Sequence, residues 1–454
     1  MREKIWWVTG KVLDKLIWLR HKIINQEVRT ITLQALPFWV ASFVTGLVAV
    51  GYEKLFAWFE RMGREMVLHT PWVIFITAPA FFTLSWWLVN RFAPTARGSG
   101  IPQLMASIEL ANPKQDDKVD QLLGLRIALV KVLSSLSLLV GNGAIGREGP
   151  TLQISASIFR FVNRLLPSYW PKVSKRIMLV TGGASGLAAA FNTPLGGIVF
   201  VVEELTKTHI TYFRTAVFAS VIIAGMTAQA LLGPYLYLGY PQITPVGFSF
   251  IGVVLLAGIL SGLAGALLAK VILYISDWKT LHIKGQKQQA LFVATLGLLF
   301  ACLIYFSGVQ AGGSGKELMN RLLFTPEKNI QWYEFPARFI GPILSYHSGG
   351  AGGVFATSLS AGATLGAGIA ELLQLARENY NLVMLVSMVG YLTGVTRSPF
   401  TSAILVLEMT DRHSAIFYLL LAGMVANLMG YYVDRKSFYE HLKEHFLKPT
   451  VSKA

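Results

Sequence analysis

Charge is scarce in this chain: Asp, Glu, Lys and Arg make up 14% of its 454 residues, well below the quarter typical of soluble domains. That is too little to clothe a water-soluble surface. Acids are scarcer still, 24 against 40 bases, for a net charge of +16. No basic stretch forms a soluble domain of its own, so the excess is explained by topology in a membrane and no nucleic acid partner is implied. Cysteine is nearly absent. Cys302 stands alone in an apolar run, which excludes an intramolecular disulfide and a Cys-based metal site. The eight histidines show no HExxH arrangement, and neither a Ser/His/Asp nucleophile signature nor a nucleotide-binding loop is present. The sequence therefore points away from an enzyme, and it calls for no metal and no cofactor. Pro/Ser-rich linkers are lacking as well, which predicts a single folded unit.

What is abundant is apolar: 53% of the residues are hydrophobic and the mean hydropathy is +0.52. Segments 38–51, 72–89, 251–276 and 289–306 are long and almost uncharged, and about 20 such residues cross a bilayer as a helix. Segments 101–111, 192–202 and 353–370 are too short or too glycine-rich to cross alone. Broken helices at membrane depth are tolerated only in protein interior or along a water-filled path. They predict a transporter or channel core. Residues 1–30 interleave Arg2, Lys4, Lys11, Lys15, Arg20, Lys22 and Arg29 with Trp6, Trp7, Leu13, Leu16 and Trp18, the pattern of an amphipathic helix on the membrane surface and not of a signal peptide. The loops with Lys172, Lys175 and Arg176 and with Lys279, Lys284 and Lys287, and the stretch after Arg435, are basic too. By the positive-inside rule both termini face the cytoplasm.

Residues 191–204, FNTPLGGIVFVVEE, resemble 396–409, TRSPFTSAILVLEM. Pro194 pairs with Pro399 and Glu203 with Glu408 at one offset of 205 positions, and the same offset carries 146–153 onto 351–358. Two repeats are expected, about 31–235 and 245–432, with a site where their broken helices meet. Small-residue motifs also recur in any membrane bundle because they let helices approach closely. Within Gly146-Arg147-Glu148-Gly149-Pro150 a carboxylate sits in a glycine-rich break. An ionised side chain at bilayer depth costs about 2.5 kcal/mol or more, so it faces a cavity, a partner or a permeating ion. The amides that open the following helix would attract an anion to the same place.

Three glycine-rich elements precede apolar runs: Gly98-Ser99-Gly100-Ile101-Pro102, Gly146 to Pro150, and Gly353-Val354-Phe355-Ala356-Thr357. In this order and spacing they resemble the selectivity-filter segments of the CLC family of chloride channels and proton-coupled chloride exchangers. The resemblance covers the membrane domain. It implies an all-α polytopic fold of two inverted repeats with many broken and tilted helices, spanning 31–432, with 433–454 a short C-terminal segment. It also implies a homodimer embedded in lipid, with one pore per subunit and with chloride and protons as the transported ions. The compact form is similar to prokaryotic members without CBS domains, which implies a cell inner membrane.

The resemblance assigns roles residue by residue. Ser99 would offer its hydroxyl to chloride, and Val354 and Phe355 their backbone amides. Tyr439, in Lys436-Ser437-Phe438-Tyr439, would offer a phenol, although an interfacial tyrosine anchor is the competing reading. Glu148 would be the gating glutamate that accepts external protons. Arg147 stabilises the fold more than it touches the ion. Lys131, in an apolar helix, either adds positive potential or snorkels. Glu204 would be the internal proton-transfer glutamate and Glu203 its structural neighbour, which favours a chloride/proton exchanger over a passive chloride channel; two solvated carboxylates at a helix end are the plain alternative. Thr357 and Ala351 stand where the family has prolines, so the third helix start is expected to be less rigid. Gln103 replaces a common acid. Retention of GSGIP and Pro150 disfavours the fluoride-exporting branch.

Overall fold

The computed structural model describes residues 26–112, 115–206, 214–233, 236–244, 246–326 and 328–447. The amphipathic segment expected at the N-terminus lies outside these residues up to position 25, as does the stretch from 448. The first half of the chain forms α1 (Gln26–His69), α2 (Ile74–Phe92), α3 (Ile101–Glu109), α4 (Asp116–Leu122), α5 (Leu125–Val140), α6 (Glu148–Leu165), α7 (Lys175–Phe191), α8 (Pro194–Phe200) and α9 (Arg214–Leu232). The second half forms α10 (Ile251–His282), α11 (Gln286–Ser307), α12 (Lys316–Phe324), α13 (Glu334–His347), α14 (Phe355–Leu372), α15 (Tyr380–Thr396), α16 (Pro399–Thr410), α17 (Ile416–Val433) and α18 (Phe438–Leu447). This is an all-α polytopic membrane protein. Among the described residues seven segments are long and apolar enough to cross a bilayer, including Thr30–His69, Phe248–His282 and Gln286–Ser307. Leu129, Ile222, Leu267, Leu298, Phe417 and Leu428 face outward, a surface suited to lipid rather than water. The 44 residues of α1 would run about 66 Å if straight, twice the hydrocarbon thickness, so this helix must tilt or protrude.

The short, glycine-rich segments are the ones that avoid lipid. α14, rich in glycine and alanine, is buried over nearly its whole length, because small side chains let α15 approach closely. A Cβ on Gly362 would lie 2.6 Å from the Ser387 carbonyl. α15 in turn is buried at every position.

The repeat is visible as matched helices. α7 and α15 each have 17 residues and end on a left-handed residue, Asn192 (φ 57°) and Arg397 (φ 62°), 205 positions apart. Prolines at the first position then open α8 and α16, where a missing amide costs nothing. Glu203 accepts from the amides of Phe400 (3.2 Å) and Thr401 (2.7 Å), and Glu408 accepts from those of Leu195 (3.0 Å) and Gly196 (2.6 Å). Each glutamate thus caps the equivalent helix of the other half. Removing such a cap costs about 1–2 kcal/mol, so Glu203→Ala and Glu408→Ala should lower the unfolding temperature in detergent by similar amounts. A large effect at one position and none at the other would refute the equivalence.

The offset is not uniform. α6 and α14 each have 18 residues, but they begin at 148 and 355, 207 positions apart. The linker from α6 to α7 is two residues longer than that from α14 to α15, which shifts the expected alignment of 146–153 on 351–358 by two.

Candidate anion-binding site

Helices α3, α6 and α14 all begin at the centre of the molecule, each preceded by a glycine-rich loop. Gly98 (φ 66°) and Gly100 (φ 103°) hold left-handed conformations that turn the first loop into α3. The loops are sewn together by backbone hydrogen bonds. Gly98 donates to Gly350 (2.8 Å) and accepts from Gly352 (3.1 Å), while Gly146 and Gly353 exchange bonds of 2.7 and 2.8 Å. The third loop therefore runs between the first two and brings the three helix starts together, and helix N-termini carry positive potential.

Glu148, fully buried, is the first residue of α6. Its carboxylate packs against Gly146 and faces the Ala356 amide at the start of α14. Ser99 packs against the first turn of α6, where a Cβ on Gly149 would lie 2.8 Å from the Ser99 carbonyl oxygen. The position must therefore stay glycine. Tyr439 reaches the same place from α18, which packs on α3. Its side chain is fully buried, away from any interface, with its hydroxyl beside that of Ser99. Neither hydroxyl completes a hydrogen bond of standard geometry to a described residue. Two buried O–H groups and a ring of amide donors suit an anion, since buried donors left unpaired are costly.

Lys131 does not snorkel. It is fully buried and donates 2.9 Å to the Gly98 carbonyl, bracing the first loop from behind. The two departures from proline are both put to use. The Ala351 amide, which a proline would lack, donates to Ser134 Oγ (2.9 Å). Thr357 Oγ1 and Ser358 Oγ both return to the Val354 carbonyl (3.0 and 2.6 Å), tying down the start of α14 without a ring. Gln103 donates to the carbonyls of Thr95 and Arg97 (3.0 and 2.8 Å) and holds the approach to the first loop.

Glu203 and Glu204 lie in a π-helical turn, Val201–Thr206, a distortion often found at functional sites. They go different ways. Glu203 caps α16, whereas Glu204 is buried and accepts 2.7 Å from Ser398 Oγ, close enough to Tyr439 for the two to interact electrostatically. Neither is a freely solvated residue at a helix end.

Residues 81–431 match the family described as voltage gated chloride channel. The chain belongs to this family. Among similar curated proteins is the H(+)/Cl(-) exchange transporter ClcA of Cronobacter sakazakii, 29% identical over 92% of this chain and 91% of that protein. Among solved structures, a slow cyanobacterial Cl-/H+ antiporter superposes with a TM-score of 0.77 at 23% identity, covering 92% of this chain and 99% of that one. A CLC-type fluoride/proton antiporter gives 0.76 at 19%, covering 90% and 97%, and a eukaryotic CLC transporter 0.75 at 21%, covering 91% and 74%. These likenesses establish the CLC fold, and the chain is an ion-transport protein of the CLC family.

Sequence reasoning missed the second layer around this CLC site. Arg147 pairs with Glu53 on α1 (2.7 Å), not with its neighbour Glu148, and donates to the Ala190 carbonyl (3.3 Å). Tyr237 lies beneath it, with Lys316 Nζ 4.6 Å from the ring centroid. Arg338, fully buried, donates to the carbonyls of Ala311 (3.1 Å), Gly312 (2.7 Å), Gly313 (3.3 Å) and Ser314 (3.0 Å) and to Ser360 Oγ (2.9 Å). Glu60 takes the Ser314 amide and hydroxyl from the other side (2.5 and 2.8 Å). The available signal was a charge bordering an uncharged run, Glu53 after 43–51 and Arg338 before 339–346, and charges at membrane depth do mark functional regions.

Proposed function

We propose that this chain is a secondary active transporter that exchanges chloride for protons. The observation that carries this reading is the position of Glu148: a protonatable carboxylate seated where the amides of two helix starts would otherwise meet an anion. Ionised, it competes with chloride for the site; protonated, it gives up its claim on the amides and lets chloride pass. Ser99 and Tyr439 would hold the ion by hydroxyl, Val354 and Phe355 by amide. Glu204, within electrostatic reach of Tyr439, would pass protons inward, its carboxylate held by Ser398. The relatives named as H+/Cl- exchangers support the same reading. We take the protein to work as a homodimer in a cell inner membrane with both termini in the cytoplasm.

The test is direct. Purified protein in liposomes, given a chloride gradient under voltage control, should move protons uphill. Chloride flux with no proton movement would instead make it a passive channel of the same fold.

A further inference from the structure

Below Ser99, on the side carrying α18, the molecule opens into a cavity of about 460 Å³. Its charged lining has one sign: Arg97, Lys279 and Lys284 contribute, and no Asp or Glu among the described residues does. Arg97 and Lys279 repel one another, and neither forms an ion pair with a described residue. Arg97 lies over the Phe446 ring, 5.8 Å to its centroid, and Lys279 donates to the His347 carbonyl (2.9 Å). Uncompensated cations in a walled cavity raise the local anion concentration.

Tyr346, near the end of α13, lines this cavity together with Gly98 and Ser99. A methyl group placed on Gly98 would lie 3.4 Å from the Tyr346 hydroxyl, which puts that hydroxyl one residue from Ser99. The group is within electrostatic reach of both Arg97 and Tyr439. Edge-on contacts with Phe438 and His347, both at 5.7 Å, fix the ring. Its hydroxyl makes no hydrogen bond to a described residue. Packing alone would be served as well by phenylalanine.

We propose that Tyr346 is a further anion-contacting and selectivity-determining residue, a third hydroxyl that receives chloride from the Arg97–Lys279 cavity and hands it to Ser99 and Tyr439. The inference rests on reading the glycine loops as a chloride path. An ion passing from the cavity into the loops at Ser99 sheds water, and a donor placed at that step replaces part of the lost hydration. A hydrogen bond to a charged group corresponds to roughly ten- to a hundredfold in affinity.

The experiment compares purified wild type with Tyr346→Phe by calorimetric titration of chloride, by thermal unfolding, and by flux of chloride, nitrate and thiocyanate from liposomes. The variant should unfold like wild type, bind chloride about tenfold more weakly, and lose preference for chloride over the more weakly hydrated anions. Wild-type affinity and anion ratios in Tyr346→Phe, with wild type itself transporting chloride, would overturn the role of the hydroxyl and leave the chloride path standing. If wild type neither binds nor moves chloride, the chloride path falls and this inference with it.

Discussion

Alanine in place of Glu148 will abolish proton movement and leave a chloride flux that no longer responds to pH. In the wild-type protein the carboxylate lies against the Ala356 amide, and on the proposed mechanism an ion takes its place only when the side chain is protonated or displaced. Chloride flux should therefore rise as pH falls. On the proposed mechanism, removing the carboxylate removes both the competitor and the proton carrier, so proton flux should drop by about a hundredfold or more, the scale on which positioned acid–base groups act. Glu204→Gln separates the two roles. It keeps the bond partner of Ser398 but not the titratable group, so protons should stop while chloride flux keeps the pH dependence set by Glu148. Parallel chloride and proton flux assays on both variants check this. Proton coupling that survives in Glu148→Ala would sink the gating role, and coupling that survives in Glu204→Gln would sink the relay.

The second large effect concerns stability. Arg338→Ala should cost more than about 3 kcal/mol, because it strands four consecutive carbonyls of the 311–314 loop in the interior, and each unpaired buried group costs about 1–3 kcal/mol. Arg338→Lys should recover only part of this, since one ammonium cannot reproduce a planar fork of donors. The loop leads into Lys316, which sits over Tyr237 beside Arg147. Its loosening should therefore also slow transport in whatever protein remains folded. Unfolding temperature in detergent, with flux measured on the folded fraction, tests both points. A wild-type unfolding temperature in Arg338→Ala would show that water reaches these carbonyls.

Local backbone demands are written plainly in the sequence. Gly98 and Gly100 turn left-handed and Gly149 has no room for a Cβ against the Ser99 carbonyl, so glycine is demanded there, while Gly146 and Gly353 mark where two loops touch; the three loops are therefore legible from the order of residues. Pro194 and Pro399, with Glu203 and Glu408, reveal the repeat for the same reason: a helix start has few acceptable residues. Apolar composition likewise dictates the membrane setting. The reciprocal caps are not legible, because a glutamate at 203 reaches amides near 400 only after the halves fold together.

Tertiary structure alone decided which distant side chains complete the site. Glu53, not Glu148, takes Arg147; Lys131 turns inward to the Gly98 carbonyl; and Tyr346 comes to lie beside a loop nearly 250 positions earlier in the chain. None of these contacts leaves a local pattern. Sequence determines local conformation through steric and solvation preferences of neighbouring residues, while the partner of a buried polar group is selected by which helices pack against it, a property of the whole fold.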